Sequence, residues 1–192
     1  MEKFKAAIKD CEICADHLPL GANPVFQFGE GARVVIIGQA PGRKVHQSGI
    51  PWDDASGNRL REWLDISTST FYDPDKLALV PMGFCYPGKG KSGDLPPRPE
   101  CAPKWHDRIL ARLENVGLRI LIGQYAQQYY LHGRVKRTLT ETVKAYGEYL
   151  PSEIPLPHPS PRNNIWLRKN PWFEKELLPV LQGRIALLMA GI

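Results

Sequence analysis

Prolines occupy every second position from Pro155 to Pro161 in the stretch IPLPHPSPRNN, which runs from Ile154 to Asn164. Each ring fixes its own φ, removes a backbone donor and biases the residue before it toward extended geometry. Such a segment can be neither helix nor the middle strand of a sheet. It must be an extended piece whose backbone is fixed before any packing occurs. A single imidazole, His158, sits inside it, and Arg162, Asn163 and Asn164 follow. A lone histidine is more often a hydrogen-bonded structural residue than a reactive one. Prolines on both sides give this one the stiffness that suits a donor aimed at developing negative charge.

The rest of the chain alternates strand and helix signals. ARVVIIGQAPG predicts a buried strand from Arg33 to Gly38 that runs into a Gly/Pro loop. NRLREWLDI puts Leu60, Trp63 and Leu64 on one helical face, and CAPKWHDRILARLENV does the same with Trp105, Ile109 and Leu113. KLALVPMGF and LRILIGQ read as further strands, with YAQQYYL as a short helix after the latter. EIPLPHPSP is a fourth extended segment, and NPWFEKELLPVLQGRIALLM a closing helix interrupted near Pro179. This alternation predicts a parallel sheet covered on both faces, in one domain spanning 1–192. Ligands of such sheets bind beyond the carboxyl ends of the strands. GQAPG and HPSP both follow strands, so one pocket can contain both.

No apolar run approaches a membrane span, and MEKFKAAIKDCEIC has no apolar h-region. The expectation is a cytoplasmic protein with no membrane partner. The net charge of +5 fits a polyanion partner weakly. Lys89, Lys91 and Arg98 in YPGKGKSGDLPPR suggest a mobile basic loop, or simply a solvated charge run. The other histidines, His17, His46, His106 and His132, have no special setting and read as structural or surface residues.

Two further stretches carry chemistry. Gly38-Gln39-Ala40-Pro41-Gly42 is a tight turn whose backbone can approach a ligand. It is neither a dinucleotide fingerprint nor a P-loop. PWDDASG follows, with Trp52 able to pack or to stack on a flat ligand. Asp53 or Asp54 can cap the helix that ASGNRL opens, or can serve a site. Finally, Cys11 and Cys14 form a C-x-x-C, and Cys85 and Cys101 lie far downstream. Four cysteines with one close pair suit a tetrahedral zinc or a [4Fe–4S] cluster, or are buried thiols with a fortuitous pair.

Together these pieces resemble the uracil-DNA glycosylase superfamily over nearly the whole chain. Its Gly-x-x-Pro turn after the first strand is matched by Gly38–Gly42, and its late His-Pro-Ser-Pro segment by His158-Pro159-Ser160-Pro161. Its iron–sulfur branches, families 4 and 5, carry cysteines in the order of Cys11, Cys14, Cys85 and Cys101. The resemblance implies an α/β fold, a three-layer α/β/α sandwich around a central four-stranded parallel sheet. It implies a [4Fe–4S] cluster on the four cysteines, zinc being the alternative.

It also implies roles. His158 would donate to a uracil oxygen as the glycosidic bond breaks, Trp52 would stack on the base, and Arg162 would fill the space left by a flipped nucleotide. Ala40 stands where a water-activating Asp or Asn is common, and Gln39 where one branch has Glu. Asp54 matches the carboxylate that a related branch places before an ASG-like stretch. Pro81, Met82 and Gly83 stand where several branches have a base-reading Asn. The resulting expectation is a monomeric DNA glycosylase that hydrolyses a deaminated base, uracil first, from damaged DNA. Asp54 and His158 would be catalytic, and Gly38, Gln39, Ala40, Pro41, Gly42, Trp52, Ser160, Arg162 and Asn163 would bind substrate. The alternatives are a relative of the same fold that binds damaged or single-stranded DNA without cleaving it, and a nucleotide- or RNA-metabolising enzyme.

Overall fold

Four short apolar runs form the strands β1 (Val34–Ile37), β2 (Leu77–Leu79), β3 (Leu118–Ile122) and β4 (Glu153–Leu156). The computed structural model describes residues 1–190, so the last two residues of the expected 1–192 domain lie outside the described part. All strand pairs are parallel, in the order β2-β1-β3-β4. Parallel neighbours need crossovers, and helices provide them. In chain order these are α1 (Glu2–Lys9), α2 (Arg43–Ser48), α3 (Ala55–Leu64), α4 (Thr68–Phe71), α5 (Cys101–Leu110), α6 (Gly123–Leu131), α7 (Leu139–Lys144), α8 (Asn164–Lys169) and α9 (Leu178–Ala190).

Successive side chains of a strand point to opposite faces, and the core divides accordingly. Val35, Ile37, Ala78 and Leu121 pack with Ile8 of α1, Trp105 and Ile109 of α5, and Ala126 of α6. Val34, Ile36, Leu77, Ile120 and Ile154 pack with Leu60 and Trp63 of α3, Val143 of α7, and Leu181 and Ile185 of α9. Helices therefore cover both faces, which is the α/β/α sandwich expected from the sequence.

The two edges of the sheet differ. Gln27 pairs antiparallel with Leu79 along the outer side of β2. β4 carries Pro155 and forms the opposite edge, the place where a sheet tolerates proline. Its buried Glu153 is held by Arg119 at 2.8 Å and by Arg134 at 2.6 Å.

Some local expectations need correction. α5 stops at Leu110, and Leu113 is buried beyond its end. The interruption expected near Pro179 is a change of helix type and not a break. A π-helical turn at Phe173–Leu177 leads directly into α9. The wider turn accommodates a ring that lacks an N–H and crowds the preceding carbonyls. The expected mobile loop is a hairpin, with Lys89 bridged to Asp94 and the Leu95 N–H donating to the Gly88 carbonyl at 2.8 Å. Among the described residues no helix is long and apolar enough to cross a membrane.

The order of strands reverses at β1, because β2 lies on one side and β3 with β4 on the other. That reversal opens a crevice at the carboxyl ends of β1 and β3.

Candidate active site

The loop after β1 is fixed by its neighbour. The Met82 N–H donates to the Gly38 carbonyl at 2.9 Å, and the Gly83 N–H to the Gln39 carbonyl at 3.0 Å. Residues 81–83 thus form a wall beside the turn. A Cβ on Gly38 would stand 2.8 Å from Cζ2 of Trp52, so only glycine lets the indole lie flat against this turn.

Trp52 has φ 59°, a conformation that bulky residues rarely adopt. The surroundings hold it there. The Tyr72 hydroxyl donates to the carbonyl of Pro51 at 3.0 Å. A Cβ on Gly57 would collide with the Trp52 carbonyl at 1.7 Å, which explains the glycine inside α3. Strain of this kind, maintained at the mouth of a crevice, points to a functional position. The Trp52 ring lies 5.8 Å from the His158 ring at an interplanar angle of 32°.

Asp54 is the N-cap of α3, and its Oδ1 accepts the Gly57 N–H at 2.8 Å. It also lines the crevice. Capping and service to a site are therefore compatible, since one oxygen bound to α3 fixes the direction of the other.

His158 leaves β4 between Pro157 and Pro159. The Ser160 N–H donates to its Nδ1 at 3.2 Å, so in the neutral ring the proton resides on Nε2. Burial pushes its pKa down, opposed by the negative charges of Asp54 and then Asp94. A neutral imidazole with an Nε2–H donor follows. The backbone around it is tied down twice more. Asn163 Nδ2 donates to the His158 carbonyl at 2.7 Å, and Arg59 donates to that of Ser160 at 3.1 Å.

These elements enclose a cleft of about 460 Å³. Gly38 to Gly42, Trp52, Asp54, His158, Ser160, Arg162 and Asn163, named from the sequence for substrate or catalysis, line it. Asp53 and Asn164 do not. Gln39 Nε2 donates to the Leu95 carbonyl at 3.3 Å, which ties the hairpin to this turn. Arg98 is reassigned. It pairs with Glu100 and lines the cysteine pocket described below, while Gly93 and Asp94 bring the hairpin to the cleft. Asp94, Ser56 and Val25 escaped the sequence reading, and only Asp94 is of a type that could have signalled a site.

Residues 26–182 match the family model of the uracil DNA glycosylase superfamily. The chain belongs to that superfamily. The coarse chemistry follows from membership: a glycosylase-type hydrolase of DNA repair, with DNA as its substrate.

The four cysteines of this superfamily member meet far from one another in sequence. Cys11 follows α1, Cys14 precedes a 3₁₀ turn at Ala15–His17, Cys85 follows β2, and Cys101 opens α5. All are free thiols and face one small pocket, which Arg98 and Phe84 also line. Two sulfurs accept N–H donors, Cys101 from the Phe84 backbone at 3.4 Å and Cys11 from the Trp105 indole at 3.3 Å. Burial is the main cause of the raised pKa values of Cys14, Cys85 and Cys101, to about 11 for Cys85 and about 12 for Cys101. Any metal bound here must displace protons. Among the described residues no three or more His, Cys, Asp or Glu side chains close around a point as a single ion requires.

Proposed function

We propose that the protein hydrolyses the N-glycosidic bond of uracil flipped out of DNA into this cleft. The observation that carries the reading is the neutral His158 donor beside Trp52 and Asp54 on a backbone immobilised by prolines and hydrogen bonds. The base stacks against Trp52. As the bond from C1′ to the base nitrogen breaks, its electron pair moves onto the base, and His158 Nε2–H donates to the oxygen where charge gathers. Asp54 complements the positive charge on the sugar and orients the water whose oxygen bonds to C1′. That water's proton passes to the carboxylate and leaves with the base. Arg162, exposed at the rim, enters the stack in place of the flipped nucleotide.

We propose further that Cys11, Cys14, Cys85 and Cys101 hold a [4Fe–4S] cluster. Bound there, it ties the N-terminal segment to the middle of the chain and takes no part in the hydrolysis. The reading places a monomer in the cytoplasm, where thiols stay reduced.

The deciding experiment is base release from labelled oligonucleotides, followed by alkaline cleavage of the abasic product. Uracil, hypoxanthine, xanthine and thymine are each placed in single and double strands. Release of uracil is expected. Ala40 and Pro81 leave this member without the common first-motif carboxylate and the base-reading amide, which favours the alternative of a binding protein. Tight binding of uracil-containing DNA with no release of any base would establish that alternative.

A further inference from the structure

One buried titratable pair lies behind the cleft wall and has no part in the chemistry proposed above. His106, on α5, is completely buried, with Phe84 stacked on one side at 5.8 Å. Its Nε2 lies 3.0 Å from the Pro81 carbonyl. A carbonyl only accepts, so Nε2 carries the proton, and Nδ1 accepts from the Tyr130 hydroxyl at 2.6 Å. Burial lowers the pKa of His106 to about 4, so the ring is neutral at neutral pH and the donors run one way, from Tyr130 through His106 to Pro81.

Pro81 lines the cleft. It has no N–H, and its carbonyl is bonded to His106. The next two N–H groups are bonded to Gly38 and Gln39. No backbone donor of residues 81–83 is left for a ligand, and the Pro81 acceptor is drawn toward the core. We propose that His106, oriented by Tyr130, is a positioning residue that holds the Pro81 carbonyl away from the cleft, so that Pro81 meets a base by shape alone and offers no acceptor to an exocyclic amine. The inference rests on the cleft being a base pocket, and it adds a reason why an amine-bearing base such as cytosine is refused.

The test uses His106→Leu, which keeps volume and loses the donor, and His106→Gln, whose amide can still reach Pro81. Single-turnover release is measured on duplexes carrying uracil or cytosine, well below each variant's melting midpoint. Flipping is followed separately by the fluorescence of 2-aminopurine beside the target base. His106→Leu is expected to lose about 10- to 100-fold on uracil through misplacement of the base. Because the freed carbonyl accepts an amine, the uracil-to-cytosine margin should also narrow by about tenfold. His106→Gln should recover most of the rate and the margin.

An unchanged margin in His106→Leu overturns the proposal, whether or not the rate falls, because loosened packing alone lowers both substrates together. Equal losses in both variants overturn it as well. If His106→Leu does not fold, Tyr130→Phe replaces it under the same criteria. Wild-type protein that flips uracil without releasing it refutes the glycosylase reading alone, and the flipping margins then decide the role of His106. Wild-type protein that does neither refutes both.

Discussion

The cleft and the cysteine pocket lie on either side of residues 81–85, yet they are built by opposite means. The cleft is positioned by backbone conformation. Glycine at 38 and 57, a left-handed Trp52 and alternating prolines place groups that are close to these signals in sequence. The cysteine pocket is positioned by closure of the whole chain, because α1, the end of β2 and the start of α5 must already be packed before the four thiols meet. It follows that side-chain changes in the cleft should cost chemistry, whereas changes in the pocket should cost the fold.

The largest effect should come from Cys101→Ser. Loss of the proposed cluster removes a link between distant segments, and stability should fall by about 3 kcal/mol or more, near 10 °C in melting temperature for a chain of this size. Calorimetry of protein with iron and sulfide assayed in parallel checks this. An iron-free variant that melts like the wild type would break the comparison.

His158→Ala should show the converse. Base release in single turnovers should slow by about 10²–10³-fold, the usual worth of a preorganised donor, while DNA affinity and melting temperature stay close to wild type. Melting that falls along with rate would make His158 a structural residue.

Asp54 belongs to both accounts, and two variants separate them. Asparagine caps helices as well as aspartate does, so Asp54→Asn should slow release by about tenfold or more with stability nearly intact. Asp54→Ala should lose about 1 kcal/mol in addition, as the Gly57 N–H loses its partner. If Asp54→Asn releases uracil at the wild-type rate, the carboxylate is a cap alone.

The smallest effect should be at the rim. Arg162→Ala should slow release from duplex several-fold and from single strands hardly at all, because only the duplex has a stack to fill. Equal losses on both would make it a phosphate contact, with a salt dependence of binding that is shallower by about one charge.

What could be read in the sequence follows the same division. Gly38–Gly42, Trp52, Asp54 and His158–Asn163 were legible because Gly, Pro and capping chemistry mark positions locally. The four strands were legible as unbroken apolar runs. Asp94 was hidden in a basic run that reads as solvated surface, and it reaches the cleft only because a hairpin folds back over Gly42. His106 looked like one more helical residue. Its two partners, 24 and 25 residues away, become neighbours only in the packed core. The helices α2, α4, α7 and α8 went unread because four to six residues are too few for an apolar period to show.

The proline in β4 has a consequence for how these molecules meet one another. Residues 153 and 155 of that strand point their backbone nitrogens away from β3: the Glu153 N–H is taken by the Tyr149 carbonyl, and Pro155 has none to give. A stranger's strand arriving at this border finds no free amide at either position. At the far border Gln27 already fills the berth beside Leu79. A border without free amides is a poor template for a second copy's strand. The residues that stiffen His158 and the one that blunts the sheet's border belong to a single proline series, so the same short stretch shapes both the cleft and the edge of the sheet.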